Sequence, residues 1–137
     1  MTLKIQLVKD DEIVYEVPLD LEHWTMDNLQ RELHELEDRF SDIAAVHGVL
    51  SNITRARMLS QIVRGSQRRF SQLMDMLAAN QKIVMENLQR MMDVDLVERI
   101  ESGRRNIHYA PSSKGVAGLM SCLVMARVMD EVEKIRR

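Results

Sequence analysis

The residues from Asn80 to Met92, N-Q-K-I-V-M-E-N-L-Q-R-M-M, constrain the fold more than any other stretch of the chain. Asn80 is a favourable helix N-cap, because its side-chain oxygen can accept a hydrogen bond from a backbone N–H two or three residues later. Apolar residues then recur at helical spacing and predict one buried face, made of Ile83, Val84, Leu88, Met91 and Met92. The opposite face is left to Gln81, Lys82, Met85, Glu86 and Gln89. Such a helix suits the reading of base edges in a DNA major groove, although an ordinary amphipathic helix has the same pattern.

Two shorter helices are predicted before this one. Ser51 or Asn52 can cap a helix from Thr54 to Val63, and we expect Gly65 to end it, because glycine takes positive φ at little cost. Phe70 opens the next helix, which points Phe70, Leu73, Met74 and Leu77 inward and ends in a turn at Ala78 and Ala79. Two short helices joined by a tight turn, the second polar on its outer face, form a helix-turn-helix.

A two-stranded wing is predicted after the Asn80 helix. The apolar residues of the first strand are Val94, Leu96, Val97 and Ile100, and those of the return strand are Ile107, His108 and Tyr109. The turn between them, Ser102-Gly103-Arg104-Arg105, carries two adjacent cations. Pro111 ends the wing, and Ser112 or Ser113 can cap a last helix. That helix has a broad apolar face, formed by Val116, Leu119, Met120, Leu123, Val124, Met129, Val132 and Ile135.

The N-terminal part is patterned differently. Residues 2–17 alternate apolar and polar side chains on both sides of the polar turn Lys9–Glu12, which predicts a β-hairpin ended by Pro18. Residues 26–50 then place apolar residues at alternating steps of three and four, the seam of a heptad repeat: Met26, Leu29, Leu33, Leu36, Phe40, Ile43, His47 and Leu50. A seam of this length predicts a dimer contact. Two alternatives remain open: a single long helix that lies across one core, and two helices, the second of which starts at Ser41–Asp42. His47 is expected to be a hydrogen-bonded core residue.

The formal net charge of −2 hides a segregation of charge. Residues 1–50 hold 4 Lys/Arg against 12 Asp/Glu, net −8, whereas residues 51–115 hold 11 against 6, net +5. Residues 116–137 hold 4 against 3, net +1. Because attraction to phosphate depends on local charge, the middle segment is the predicted polyanion-binding part.

The order and spacing of several pieces within 50–109 resemble the winged helix-turn-helix repressors of the ArsR family. These pieces are L-S-N-I-T-R-A-R-M-L (50–59), F-S-Q-L (70–73), N-Q-K-I-V-M-E-N-L (80–88), D-L-V (95–97) and R-I-E-S-G-R-R-N-I-H-Y (99–109). The resemblance implies a mainly α fold with a small β part (α+β), with a long dimerisation helix (21–50), the DNA-binding core (51–110) and a C-terminal dimerisation helix (111–137). The hairpin appendage (1–20) is predicted by its own alternation. The MarR family is a neighbouring alternative. The hairpin lies outside the usual pattern.

Metal-sensing members of that family carry paired cysteines before the recognition helix, or Asp/His sets on the last helix. Residues 54–77 contain no Cys or His, and the last helix contains only Cys122. The four histidines, at 23, 34, 47 and 108, form no pair at the spacing of metal ligands. We therefore expect no metal site and no cofactor.

The function expected is a homodimeric, cytoplasmic, sequence-specific regulator of transcription, a repressor, that binds double-stranded DNA. The recognition helix 80–92 lies in the major groove and the wing 98–109 on the backbone or in the minor groove. The predicted DNA-binding residues are Gln81, Lys82, Met85, Glu86, Gln89, Arg68, Arg69, Ser71, Arg104 and Arg105, with Arg55 and Arg57 as further candidates for phosphate. The predicted dimerisation residues are Leu29, Leu33, Leu36, Phe40, Leu119 and Leu123. The effector is not indicated.

Two other classes of function compete with this one. A winged helix that binds protein instead of DNA would explain the acidic N-terminal part and Glu86 on the recognition face. An enzyme is not expected. The five glycines form no phosphate loop, and no other sequence feature supports acid–base catalysis by Asp93 and Asp95. Cys122 is expected to be a buried structural thiol, with pairing across a dimer left open. No stretch is apolar enough for a membrane span, and no secretory signal is expected.

Overall fold

A computed structural model, which describes residues 2–136, begins with the β-hairpin that the alternation predicts. Strands β1 (Lys4–Lys9) and β2 (Glu12–Pro18) pair in antiparallel fashion. The turn residues Asp10 and Asp11 have φ of 50° and 64°. Two consecutive left-handed residues are the mark of a type I′ turn, whose twist matches that of the flanking strands. The hairpin prediction is therefore confirmed.

The heptad-patterned region is not one helix. A single 3₁₀ turn, Leu21–His23, leads into α1 (Met26–Glu37), and α2 (Phe40–Leu50) starts anew. At the break, the Arg39 N–H bonds to the Leu36 carbonyl three residues back, at 2.9 Å, which tightens the last turn of α1 and ends it. The prediction of one long helix is wrong, and the alternative of two pieces is what the structure has. The chain divides here into two units, one up to Ser41 and one from Asp42 onward.

The second unit contains the predicted helix-turn-helix. Helices α3 (Ile53–Gly65), α4 (Phe70–Leu77) and α5 (Gln81–Asp93) follow one another. The Asn52 side chain caps α3 by accepting from the Arg55 N–H at 3.1 Å, and Asn80 caps α5 by accepting from the Ile83 N–H at 3.0 Å. Between α4 and α5, Ala78 takes a left-handed φ of 48°, so the predicted two-alanine turn is confirmed.

Gly65 has a different role from the predicted one. The left-handed residue that ends α3 is Ser66, with φ of 65°. A Cβ on Gly65 would lie 2.4 Å from Nε of Arg68. The glycine therefore leaves room for the guanidinium of Arg68, which would have to shift if a Cβ were present, and it does not supply positive φ.

The wing is built from β3 (Val97–Glu101) and β4 (Ile107–Pro111), paired from Val97–Pro111 to Glu101–Ile107. Arg68 and Tyr109 exchange two backbone hydrogen bonds, of 2.8 and 2.7 Å, which attach the start of α4 to the wing. Helix α6 (Ser113–Arg136) follows, capped by the Ser112 hydroxyl, which accepts from the Gly115 N–H at 2.9 Å.

The core of the second unit lies among α3, α4, α5 and the base of the wing. Its fully buried side chains are Met58, Leu59, Ile62, Leu73, Val84, Leu88, Met91 and Leu96. Two sequence predictions about burial are wrong: His47 and Cys122 are both exposed. Each lies on a part of its helix that no neighbouring element of the second unit covers. Within residues 2–136, no helix combines the length and the apolar character that crossing a membrane requires.

Candidate nucleic-acid interface

Helix α5 is anchored from behind as predicted, with one exception. Val84, Leu88 and Met91 have no exposed surface at all, and Met92 is half-buried. Ile83, however, is 42% exposed, so its predicted burial is wrong. Successive helical residues are rotated by about 100°, which places Ile83 roughly a quarter turn beyond the centre of the buried stripe. The helix is thus held by a narrow stripe and exposes more than half of its circumference.

The five residues expected to face DNA all lie on the exposed side of α5. Four of them, Gln81, Lys82, Met85 and Glu86, surround a shallow depression of about 400 Å³. Lys82 Nζ lies 4.0 Å from Glu86 Oε1, and the Lys82 side chain is 84% exposed. The fifth residue, Gln89, donates from Nε2 to Asp93 at 2.9 Å. The surface therefore presents amide, amine and carboxylate groups side by side, the mixture that base edges pair with.

Arg55 is not a surface cation, and its prediction as a phosphate contact is wrong. Its side chain is buried, with Nε donating to the Val49 carbonyl at 2.8 Å and Nη2 to the Gly48 carbonyl at 3.2 Å. Nη1 reaches Asn87 Oδ1 on α5 at 3.3 Å. Since the C-terminal carbonyls of a helix lack intrahelical partners, Arg55 caps α2 and links it to α5. Arg57, by contrast, is exposed.

Asn87 was not among the residues that the sequence singled out. Its Nδ2 donates to the Ile83 carbonyl at 2.9 Å while its Oδ1 accepts from Arg55, so both polar atoms are used. A short polar side chain on a helix can hydrogen bond to the carbonyl four residues before it. That spacing is the only sequence signal that marked Asn87, and it does not reveal Arg55 as the second partner.

The three residues near the start of α4 lie in different surroundings. Arg68 is half-buried, and its Nε donates to the Gln61 carbonyl at 2.9 Å. Arg69 is exposed and extends to the wing, with Nε 3.4 Å from His108 Nε2 and Nη2 3.4 Å from Asn106 Oδ1. Ser71 is exposed in the first turn of α4. Of the two arginines, Arg69 is thus the one placed on the surface that joins α4 to the wing.

The tip of the wing carries the two adjacent arginines. Gly103 and Arg105 have φ of 73° and 65°, and Arg104 and Arg105 are both exposed. Below them, Ser102 N–H donates to the Asn106 carbonyl at 2.9 Å, and Asn106 Nδ2 donates to Ser102 Oγ at 2.8 Å. These two bonds close the base of the turn and hold both guanidinium groups on one short loop. Tyr109 is 4% exposed, which confirms its prediction as a packing residue.

The predicted dimerisation residues differ in exposure. Leu33, Phe40 and Leu123 are 50%, 52% and 57% exposed. Leu29 and Leu36 are half-buried in the first unit, and Leu119 packs against the core of the second. Helix α6 also exposes Met125 and Met129, by 56% and 61%.

Charge is divided between the two units as sharply as between the sequence segments. Residues 1–41 contain 4 Lys/Arg against 11 Asp/Glu, net −7, and residues 42–137 contain 15 against 10, net +5. The helix-turn-helix and wing thus belong to the basic unit. Over residues 2–136, no three His, Cys, Asp or Glu side chains converge as a metal site would need.

No protein-family model and no curated protein matches this chain. Among solved structures, the transcriptional repressor BigR from Xylella fastidiosa is similar, with a TM-score of 0.58 and 19% identity, over 68% of this chain and 93% of that one. NolR from Sinorhizobium fredii is also similar, with a TM-score of 0.58 and 18% identity, over 67% of this chain and 90% of NolR. A third similar structure is the homodimeric winged helix-turn-helix DNA-binding domain of Mb0332 from Mycobacterium bovis, a possible ArsR-family regulator. Its TM-score is 0.57 and its identity 25%, over 69% of this chain and 84% of that domain.

These neighbours confirm the resemblance that the motifs between residues 50 and 109 indicated. They leave 31–33% of this chain uncovered, a share close to that of the first unit, 41 residues of 137. The order of the elements, three helices, a two-stranded wing and a long last helix, is the same as the order predicted from the motifs. The chain therefore has the fold of the ArsR-like winged helix-turn-helix transcriptional regulators.

Proposed function

We propose that this chain is a homodimeric, sequence-specific DNA-binding regulator of transcription that acts as a repressor. The observation that carries the proposal is the outer face of α5, which exposes Gln81, Lys82 and Gln89 while three fully buried side chains hold the helix from behind. The wing adds two exposed arginines to the same basic unit. The similarity of this chain to BigR, a transcriptional repressor, supports repression over activation. A dimer bound at a promoter would repress by excluding other proteins from that DNA.

In the proposed complex, the two α5 helices of a dimer enter successive major grooves, about 34 Å apart. Glutamine can pair with adenine through two hydrogen bonds, and lysine can donate to guanine. We assign these roles to Gln81, Gln89 and Lys82. Met85 is placed to touch a thymine methyl, and Glu86 to accept from the amino group of cytosine.

Phosphate contacts are assigned to the exposed cations around α5. Arg104 and Arg105 extend from the wing tip, and Arg69 extends from the start of α4 towards the wing. Ser71 can donate its hydroxyl to a phosphate near the N-terminus of α4, where the helix dipole favours an anion. Arg68 contributes through the backbone bonds that fix the wing, since its Nε is used by Gln61.

Dimerisation is assigned to the apolar surface that a single chain leaves uncovered. A 24-residue helix that exposes methionine, leucine and valine along its length is unfavourable in water and needs a partner. Mb0332, one of the similar structures, is described as homodimeric. Leu123 on α6, with Leu119 at its buried edge, belongs to this contact. The exposed Phe40 is the proposed contribution of the N-terminal part, whereas Leu29, Leu33 and Leu36 line a groove of the first unit and are not assigned to the dimer.

The wing is tested by the salt dependence of DNA binding. Arg104→Ala with Arg105→Ala should weaken binding to all duplexes and reduce the slope of log K against log salt by up to about 2, because each lost phosphate contact accounts for roughly 0.9. Fluorescence anisotropy of a labelled duplex over a salt series gives the slope. The matched control, Lys9→Ala with Arg31→Ala, removes two cations from the first unit and should leave the slope unchanged. An unaltered slope in the wing variant would remove the wing from the contact set.

The recognition helix is tested by sequence preference. Gln81→Ala or Lys82→Ala should relax the preference at particular base pairs and cost about 1–3 kcal/mol where a bidentate contact is lost. Selection of bound sequences from a random pool, with the wild type and each variant, measures this. An inverted repeat in the wild-type pool supports a symmetric dimer, and unchanged pools for both variants would contradict the assignment of the reading face.

A protein-binding winged helix is the second candidate, favoured by one observation. Met85 is 42% exposed on α5 and shares a shallow depression with the acidic Glu86, and methionine is enriched at protein interfaces. A mobility shift with mixed duplex DNA at low and moderate salt separates the two functions. The DNA-binding function predicts a shift that fades with salt, and the protein-binding function predicts no shift.

A further inference from the structure

The first unit contains a groove that the proposed DNA contacts do not use. It lies between the hairpin and α1 and has a volume of about 550 Å³, within the range of about 300–1,000 Å³ typical of small-molecule sites. Its apolar walls are formed by Tyr15, Trp24, Leu29, Leu33 and Leu36. All of these residues belong to the unit that ends at Ser41.

The polar atoms of the two aromatic residues are already used within the unit. The Tyr15 hydroxyl donates to Glu32 Oε2 at 2.9 Å, and the Trp24 indole N–H donates to the Pro18 carbonyl at 2.9 Å. The hydrogen bond to Glu32 raises the pKa of Tyr15 above its ordinary value of 10.0. The two rings are thereby held in place, and what they offer a ligand is their carbon surface.

The charged residues of the groove are mainly acidic. Glu32, Glu35 and Asp38 line it, against one cation, Arg39. Among the residues that the structure describes, neither the Glu35 nor the Asp38 side chain has a hydrogen-bond or ion-pair partner. The unit as a whole is strongly acidic, net −7. An anionic ligand is therefore repelled, and a cation gains from the carboxylates.

We propose that this groove binds a small organic cation with an apolar body, a quaternary ammonium ion or a protonated arylalkylamine. The apolar part lies against the leucines, and the cationic part lies between the aromatic rings and the carboxylates of Glu35 and Asp38. Tyrosine and tryptophan rings attract such cations through the negative potential of their faces. A metal ion is not the proposed ligand, because no three His, Cys, Asp or Glu side chains of residues 2–136 converge on one point.

Binding is measured with benzyltrimethylammonium chloride and the full chain. Trp24 is the only tryptophan of the sequence, so intrinsic tryptophan fluorescence reports on the groove without a label. A saturable change in emission is expected with the cation. Benzyl alcohol, which is neutral, and benzenesulfonate, which is anionic, should bind at least about tenfold more weakly, in line with loss of the charge interaction. Equal affinity for benzyl alcohol, or no saturable change with the cation, would overturn the proposal.

The carboxylates are tested with isosteric variants. Glu35→Gln with Asp38→Asn keeps side-chain size and should weaken binding of the cation by about tenfold or more, with little effect on benzyl alcohol. The matched control, Glu22→Gln with Glu37→Gln, removes two exposed carboxylates of the same unit that do not line the groove, and should change the affinity by less than about twofold. Equal weakening in both variants would mean a diffuse charge effect and would overturn the assigned site. None of these measurements uses DNA, so their failure leaves the proposed regulator function intact.

Discussion

At the scale of single residues, Arg55 shows how a charged side chain can belong to the core. It donates to two carbonyls at the end of α2 and to Asn87 on α5. A buried guanidinium is tolerated when its donors are satisfied, because the loss of water is then compensated by hydrogen bonds. The position of α5 relative to α2 therefore depends on one side chain in the first turn of α3.

Replacement of that side chain should destabilise the protein. Arg55→Ala leaves the Gly48 and Val49 carbonyls without their donor and should cost about 1–3 kcal/mol or more in the free energy of unfolding. The control Arg57→Ala, at an exposed position of the same helix, should stay within about 0.5 kcal/mol of the wild type. Urea unfolding followed by circular dichroism gives both values. Equal stability of the two variants would show that the Arg55 hydrogen bonds are dispensable.

At the scale of elements, the two glycines at the start of α6 have different requirements. A Cβ on Gly115 would lie 2.0 Å from the Leu96 carbonyl oxygen, whereas a Cβ on Gly118 would meet Leu50, Val46 and Leu96 side chains at ordinary distances of 3.8–4.0 Å. Gly115 thus permits the close approach of α6 to the chain segment before β3. Gly118 has no such role, and a helical glycine costs about 0.5–1 kcal/mol relative to alanine.

Alanine at these two positions should therefore have opposite effects. Gly115→Ala should destabilise by about 1–3 kcal/mol, as overpacking against a backbone atom does. Gly118→Ala should stabilise by up to about 1 kcal/mol, because alanine favours the helix and finds van der Waals contacts. Thermal unfolding of both variants and the wild type at one protein concentration shows whether each substitution raises or lowers the stability. A stable Gly115→Ala variant would mean that α6 can move away from Leu96 without loss.

At the scale of the whole molecule, the exposed stripe of α6 predicts the oligomeric state. Met125 and Met129 lie four residues apart and share one face of the helix. Met125→Glu with Met129→Glu should convert a dimer, of twice the 15.9 kDa of one chain, into a monomer, because paired carboxylates cannot be buried in an apolar contact. Light scattering after size exclusion measures the mass.

The same two carboxylates placed elsewhere on the helix provide the control. Arg127 is 84% exposed in its side chain and Lys134 71%, and Arg127→Glu with Lys134→Glu should leave the dimer intact. A monomeric wild-type protein would contradict both the dimer and the two-groove arrangement of DNA binding. Dissociation of both variants alike would instead indicate a general effect of negative charge on α6.

Much of the fold follows from local patterns in the chain. The cap at Asn80, a cap at either Ser51 or Asn52, the two-alanine turn and the wing were all predicted from neighbouring residues. Capping, turn conformation and strand alternation are decided over a few residues. The outer residues of α5 were predicted for the same reason, since helical periodicity separates the two faces of a helix. Local chemistry therefore determined which elements form and which faces they expose.

Tertiary structure decided what local patterns cannot carry. The heptad spacing continued through residues 38–39, yet the helix breaks there, and spacing alone does not show where two units separate. Arg55 was expected to be a surface cation because none of its three acceptors belongs to its own helix: two are carbonyls at the end of α2, and the third is Asn87 on α5, 32 residues away. Cys122 and His47 were expected to be buried because their neighbours are apolar, but burial depends on what packs against a helix from outside. Hydrogen-bond partners and covered faces are set by contacts between distant segments, and only the folded chain defines them.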